Sequence, residues 1–106
     1  MEGTPNEEIK IEKAEVIEML RTRGFDDLEV RSLVLEWTIQ QETLVAIEYT
    51  ARASITFNMD RADLYMAIGD TDGALQALED ARLQAHSEGE TELYDRIMAK
   101  MDEMEG

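Results

Sequence analysis

The stretch from residue 62 to residue 81, ADLYMAIGDTDGALQALEDA, decides the fold of this chain. Gly69 and Asp70 stand between two apolar stretches, and both residue types favour a tight reversal of the backbone. On either side of them, alanines and larger apolar residues recur at intervals of three and four, which is the spacing of an α-helix that buries one face. The stretch therefore predicts two antiparallel helices that meet along an alanine-rich seam.

The longer segment 55–88 resembles a single tetratricopeptide repeat, a helix–turn–helix unit of about 34 residues. The residues that carry the resemblance are Ala62, Tyr65, Gly69-Asp70, Ala74-Leu75, Leu78 and Ala81. Asn58 and Arg61 stand where the family usually has tryptophan and leucine, and His86 stands where it often has proline. The preceding segment 21–54 does not repeat the pattern, so the resemblance is confined to one unit.

The resemblance also implies a binding surface, because the first helix of each unit in this family lines a groove that receives a partner. The residues at those positions are Thr56, Met59, Asp63 and Met66. Family members that bind acidic peptide ends use Lys, Arg and Asn in the groove, whereas this chain has an aspartate and two methionines. We therefore expect a partner segment that is apolar or partly basic.

Helix signals also precede the hairpin. Thr4, Pro5 and Glu7 fit a capping box with proline in the first helical position, and Gly24 predicts the end of this first helix. Asp26 predicts the N-cap of a second helix. These signals place two helix starts before the hairpin turn.

The segment 27–68 leaves two interpretations open, because its apolar residues stay in helical phase almost throughout. It forms either one helix of about 40 residues, near 60 Å long, or two helices that break between Gln40 and Asp60. Asp60 could cap the second of these. A helix of that length would overhang so small a domain, so we favour the break.

The end of the chain predicts one more helix, from about Thr91 to Met104, after a break around Gly89. Met98, Met101 and Met104 form an apolar stripe on this helix. Such a stripe is most often part of a core, but methionine also suits a reversible contact with varied partner surfaces. We therefore treat the three methionines as core residues with a secondary contact role as the alternative.

Together these signals predict one all-α domain, residues 1–106: a small bundle of four or five antiparallel helices, with disordered ends at 1–4 and 105–106. The chain has 106 residues, with 25 acidic against 10 basic ones and a net charge of −15. This charge argues against nucleic acid as a partner and would also suit a high-salt cytoplasm. The sequence shows no signal peptide and no membrane span, so we expect a cytoplasmic protein with no membrane partner.

The sequence offers little evidence for a catalytic, metal-binding or cofactor-binding site. The absence of cysteine and the single histidine, His86, exclude cysteine-based metal sites and histidine clusters. The serines lie in no nucleophile elbow, and no phosphate-binding glycine motif occurs. We therefore expect no catalytic residue, no metal and no cofactor.

The turn after the first helix of the hairpin contains a partial match to a calcium loop. Asp70, Asp72, Gly73 and Glu79 fit three ligands and the glycine of an EF-hand. The first ligand would fall on Ile68, which has no side-chain oxygen. Calcium binding across residues 69–79 is therefore a minor alternative.

The sequence thus predicts a non-enzymatic interaction or adaptor module that binds another protein or a peptide segment. A second hypothesis is an acidic decoy that mimics the charge of a nucleic acid and occupies a basic protein. The middle helices are in addition a candidate seam for a homodimer.

Overall fold

The computed structural model describes residues 10–105, which form five α-helices and no strand. The helices are α1 (Lys13–Arg23), α2 (Leu28–Glu48), α3 (Ala51–Ala67), α4 (Thr71–Glu88) and α5 (Thr91–Glu105). The predicted small all-α bundle is confirmed. The described helices also include none that is both long and apolar enough to cross a membrane.

The beginning of the bundle differs in detail from the sequence prediction. The capping box of Thr4, Pro5 and Glu7 lies outside the described residues, and Gly24 ends α1 as expected. The N-cap of α2 is Asp27 rather than Asp26. Its carboxylate accepts hydrogen bonds from the backbone N–H groups of Glu29 and Val30, at 2.9 and 3.2 Å.

The segment 27–68 forms two helices, which is the interpretation that the small size of the domain favoured. The break falls at Tyr49, whose backbone is left-handed with φ 52°, and at Thr50. The Thr50 hydroxyl caps α3 by accepting a hydrogen bond of 3.1 Å from the backbone N–H of Ala53. Asp60, the expected cap, lies inside α3 instead.

The α3–α4 hairpin reverses at Gly69 and Asp70. Gly69 has φ +79°, and the Asp70 carboxylate accepts a hydrogen bond of 2.9 Å from the backbone N–H of Gly73. This cap starts α4 at Thr71. A Cβ atom at Gly73 would lie 2.6 Å from the Asp70 carboxylate and 2.8 Å from the Tyr65 ring, so the turn requires a glycine there.

Two hydrophobic clusters share α3. The α3–α4–α5 cluster contains buried Ile55, Met59, Ala62, Ala74, Ala77, Leu78, Ala81, Ala85, Leu93 and Ile97. The α1–α2–α3 cluster contains buried Ile11, Val16, Leu20, Val30, Trp37 and Leu64. The alanines of the predicted seam are buried, which allows α3 and α4 to pack closely. At the other end, α5 runs through Glu105, a residue that the sequence assigned to a disordered end.

Candidate interaction surfaces

The four groove residues implied by the resemblance do not share one surface. Met59 is 3% exposed and packs inside the α3–α4–α5 cluster, so it belongs to the core and is not available to a partner. Thr56 lines a cleft between the end of α2 and the start of α3. Asp63 and Met66 line a separate depression of about 270 Å³ between α3 and α5.

The three methionines of α5 also lie in different environments. Met101 and Met104 pack against the α3–α4–α5 cluster, whereas Met98 is exposed. Met104 lines the same depression as Asp63 and Met66. The structure therefore brings these three predicted contact residues together and leaves Met98 apart from them.

Asp63 is the centre of an ion-pair network within the chain. One carboxylate oxygen, Oδ2, lies 2.8 Å from Nζ of Lys13 on α1, and the other, Oδ1, lies 3.0 Å from Nζ of Lys100 on α5. Lys13 also contacts Oδ1 of Asp60 at 2.9 Å. A basic partner segment would have to displace one of these lysines to reach Asp63. This depression is consequently a poor place for the expected partly basic ligand.

The pKa values of this network follow from its contacts. Partial burial alone would raise the pKa of Asp63, but hydrogen bonds from Lys13 and Lys100 outweigh burial and lower it. Partial burial would likewise lower the pKa of Lys13, and its hydrogen bonds to Asp63 and Asp60 raise it instead. These contacts therefore favour the charged forms of Asp63 and Lys13.

α2 carries several large exposed apolar side chains, of which three lie along one line of the helix. Leu28, Leu35 and Ile39 are 78%, 60% and 52% exposed, and Ala46 continues their line along the helix. We call these four residues the outer face of α2. Exposed apolar residues aligned along one helix face are a common mark of an interaction surface.

The buried side of α2 explains why residues 10–105 leave the outer face uncovered. Val30 and Trp37, at 0% and 2% exposure, point into the α1–α2–α3 cluster from the opposite side of the helix. The outer-face residues 28, 35, 39 and 46 are spaced by seven, four and seven. That spacing is a second apolar line in helical phase, and it is the signal in the sequence that could have revealed this surface.

Acidic side chains border the outer face. Glu36 lies beside the outer face, and Glu42 lies within its line, two heptads after Leu28. Both are exposed, and neither forms an ion pair within residues 10–105. The nearest cation on α2, Arg31, lies 3.6 Å from the carboxylate of Asp26. The apolar line is therefore bordered by net negative charge.

The turn that resembled a calcium loop has a structural role instead. The Asp70 carboxylate caps α4, and the residues from Thr71 onward are helical and cannot wrap around an ion. Glu79 forms an ion pair with Arg82. Within the described part of the chain, no three acidic or histidine side chains are grouped in a way that could hold a metal. This geometry gives the calcium alternative no support.

Comparison of the chain with protein-family models, curated proteins and solved structures finds no match. The resemblance of residues 55–88 to a tetratricopeptide repeat accordingly stays a prediction.

Proposed function

We propose that this protein is a non-enzymatic interaction module that binds an amphipathic, basic helix of a partner protein on the outer face of α2. The observation that carries the proposal is the line of exposed Leu28, Leu35 and Ile39 on a helix whose opposite side packs Val30 and Trp37 into the core. Binding of a partner helix would remove this line from water. Burial of one such side chain contributes about 1.5–3 kcal/mol when it is complete.

The shape of the surface suits a helix. α2 has 21 residues and is about 31 Å long, or three heptads. The seven–four–seven spacing of its exposed apolar residues matches the core positions of paired helices. A partner helix with apolar residues at the same spacing can lie along it without bending, as in other helix-on-helix recognition.

The charge of the surface selects a basic partner. Lys or Arg residues flanking the apolar line of a partner would lie close to Glu36 and Glu42. The net charge of −15 also accelerates encounter with a basic segment. A second copy of this chain fits less well. Glu42 lies two heptads after Leu28, so in a parallel pair of α2 helices the two Glu42 carboxylates would face and repel each other.

The test uses two labelled 21-residue peptides with the same leucine pattern, one flanked by lysine and the other by glutamate. Fluorescence anisotropy should show binding of the lysine peptide and at least tenfold weaker binding by Leu35→Glu, which corresponds to about 1.4 kcal/mol. The control is Leu83→Glu, because Leu83 is 53% exposed, similar to Leu35, but lies on α4. We expect that variant to bind as the wild type does.

Three outcomes would count against this proposal. Equal binding of the lysine and glutamate peptides would contradict the role of the acidic border. Binding that collapses in salt and is unaffected by Leu35→Glu would favour the acidic-decoy hypothesis. A dimer mass in light scattering that becomes monomeric in Leu35→Glu would assign the outer face to a second copy instead.

A further inference from the structure

A second apolar surface lies between α2 and the second half of α3. It is a groove of about 340 Å³ where the α1–α2 connection approaches the end of α3. Its apolar lining includes Phe25, Val34, Trp37, Leu64, Tyr65 and Ile68. We call it the aromatic groove. Its one basic lining residue is Arg61.

Arg61 is held in a defined position in the wall of this groove. Its Nη2 atom donates to the Tyr65 hydroxyl and its Nη1 atom donates to Oδ1 of Asn58, both at 3.3 Å. The guanidinium carbon lies 5.8 Å from the ring centroids of both Phe57 and Tyr65. Two of the five N–H donors are thus used, in long hydrogen bonds to neutral groups, and the remainder can bind a ligand.

The surroundings of Arg61 are unusual for this chain. Four basic residues of the described chain are partly buried: Lys13, Arg61, Arg82 and Lys100. Three of them form ion pairs with carboxylates, and only Arg61 among the four forms none within residues 10–105. Within residues 10–105, Arg61 is thus a partly buried cation with no carboxylate partner and with unused N–H donors, which an anionic ligand could accept from.

We propose that the aromatic groove binds a small aryl carboxylate, with its ring against Phe25 and Tyr65 and its carboxylate on the Arg61 guanidinium. The planar fork of arginine matches a carboxylate with two parallel hydrogen bonds. A dry cavity of about 150 Å³ holds benzene, so the groove has room for one or two fused rings.

The other charged residue at the groove is Asp70, whose effect on an anion must be considered. One of its carboxylate oxygens accepts the hydrogen bond from Gly73 that caps α4, and the residue is exposed to solvent. Water therefore screens its charge more than the partly buried charge of Arg61. The bound carboxylate is expected on the Arg61 side of the groove.

The experiment is calorimetric titration of the full chain with naphthalene-2-carboxylate and with the neutral naphthalene-2-carboxamide. The two probes have the same ring and differ in charge. We expect the carboxylate to bind the wild type at least tenfold more tightly than the amide. Arg61→Gln should remove this preference, and Arg61→Lys should keep part of it because the charge remains without the fork.

The matched control is Arg96→Gln, which removes an exposed arginine on α5 and should leave both titrations unchanged. Circular dichroism reports whether Arg61→Gln folds. If that variant does not fold, amide chemical shifts of the wild type decide: shifts centred on Phe25 and Tyr65 support the proposal, and shifts elsewhere overturn it. Equal binding of both probes by the wild type, or no binding at all, also overturns it.

Discussion

Nζ of Lys13 lies 2.8 Å from Oδ2 of Asp63, although 50 residues separate them in the sequence. Lys13 stands on α1, beside the α1–α2–α3 cluster, while Lys100 on α5 reaches the other oxygen of the same carboxylate from beside the α3–α4–α5 cluster. One side chain on the shared helix α3 therefore connects both halves of the bundle by charge as well as by packing.

Replacing this carboxylate should cost stability. Asp63→Asn removes the charge between two partly buried lysines, and we expect the free energy of unfolding to fall by about 1–2 kcal/mol. Urea denaturation followed by circular dichroism measures the change. Asp95→Asn is the control, because Asp95 is exposed on α5 and forms no ion pair within the described residues. Equal stability of the two variants would contradict the bridging role of Asp63.

The same network predicts a loss of stability in acid. The pKa of Asp63 in the folded chain lies below its ordinary value of 3.8. A carboxylate of this kind contributes stability that is complete above the ordinary pKa and is lost as the pH falls through the folded pKa. We expect the melting temperature of the wild type to fall more steeply below about pH 4 than that of Asp63→Asn. Parallel curves for the two proteins would refute this.

Lys13 predicts the opposite dependence at high pH. Its folded pKa is raised above 10.5, so its contribution is complete below that value and is lost as the pH rises through the folded pKa. Stability should therefore decline above pH 10.5 in the wild type and less so in Lys13→Met. Thermal melts between pH 9 and pH 12 compare the two proteins, and a wild-type curve that shows no additional decline would count against the network.

The sequence was sufficient for the fold because local signals and the apolar period agree along most of the chain. Gly69, Asp70 and the alanines after them predict the hairpin, since backbone freedom, capping and small side chains all favour the same turn. The break at Tyr49 was less visible. A tyrosine in a left-handed conformation carries no stop signal, so only the length argument favoured two helices.

The contact surfaces were harder to predict because they depend on distant residues. The periodicity places Met59 and Asp63 on one side of α3, but it does not show that the α3–α4–α5 cluster covers Met59. Nor does it show that Lys13 and Lys100 form ion pairs with Asp63. The outer face of α2 was present in the sequence as a second apolar line, yet helical spacing alone cannot tell a buried line from an exposed one.

Close packing of α3 against α4 predicts that the seam tolerates no larger side chain. Ala81 is fully buried in the α3–α4–α5 cluster, and a leucine there would overfill it. We expect Ala81→Leu to lower the free energy of unfolding by about 1–3 kcal/mol. Ala99→Leu, at an exposed position of α5, should change it little. Chemical denaturation of both variants measures this, and an unchanged Ala81→Leu protein would mean that the helices do not touch there.

The left-handed residue between α2 and α3 gives a prediction that concerns the backbone alone. Tyr49 has φ 52°, and its side chain is 90% exposed, so its replacement removes almost no packing. Left-handed backbone costs a residue with a Cβ atom about 1 kcal/mol, and the cost is higher for a β-branched one. We therefore expect Tyr49→Gly to be more stable than the wild type and Tyr49→Val to be less stable. Thermal denaturation tests this order, and equal melting temperatures for the glycine and valine variants would show that α2 and α3 join through a different backbone conformation in solution.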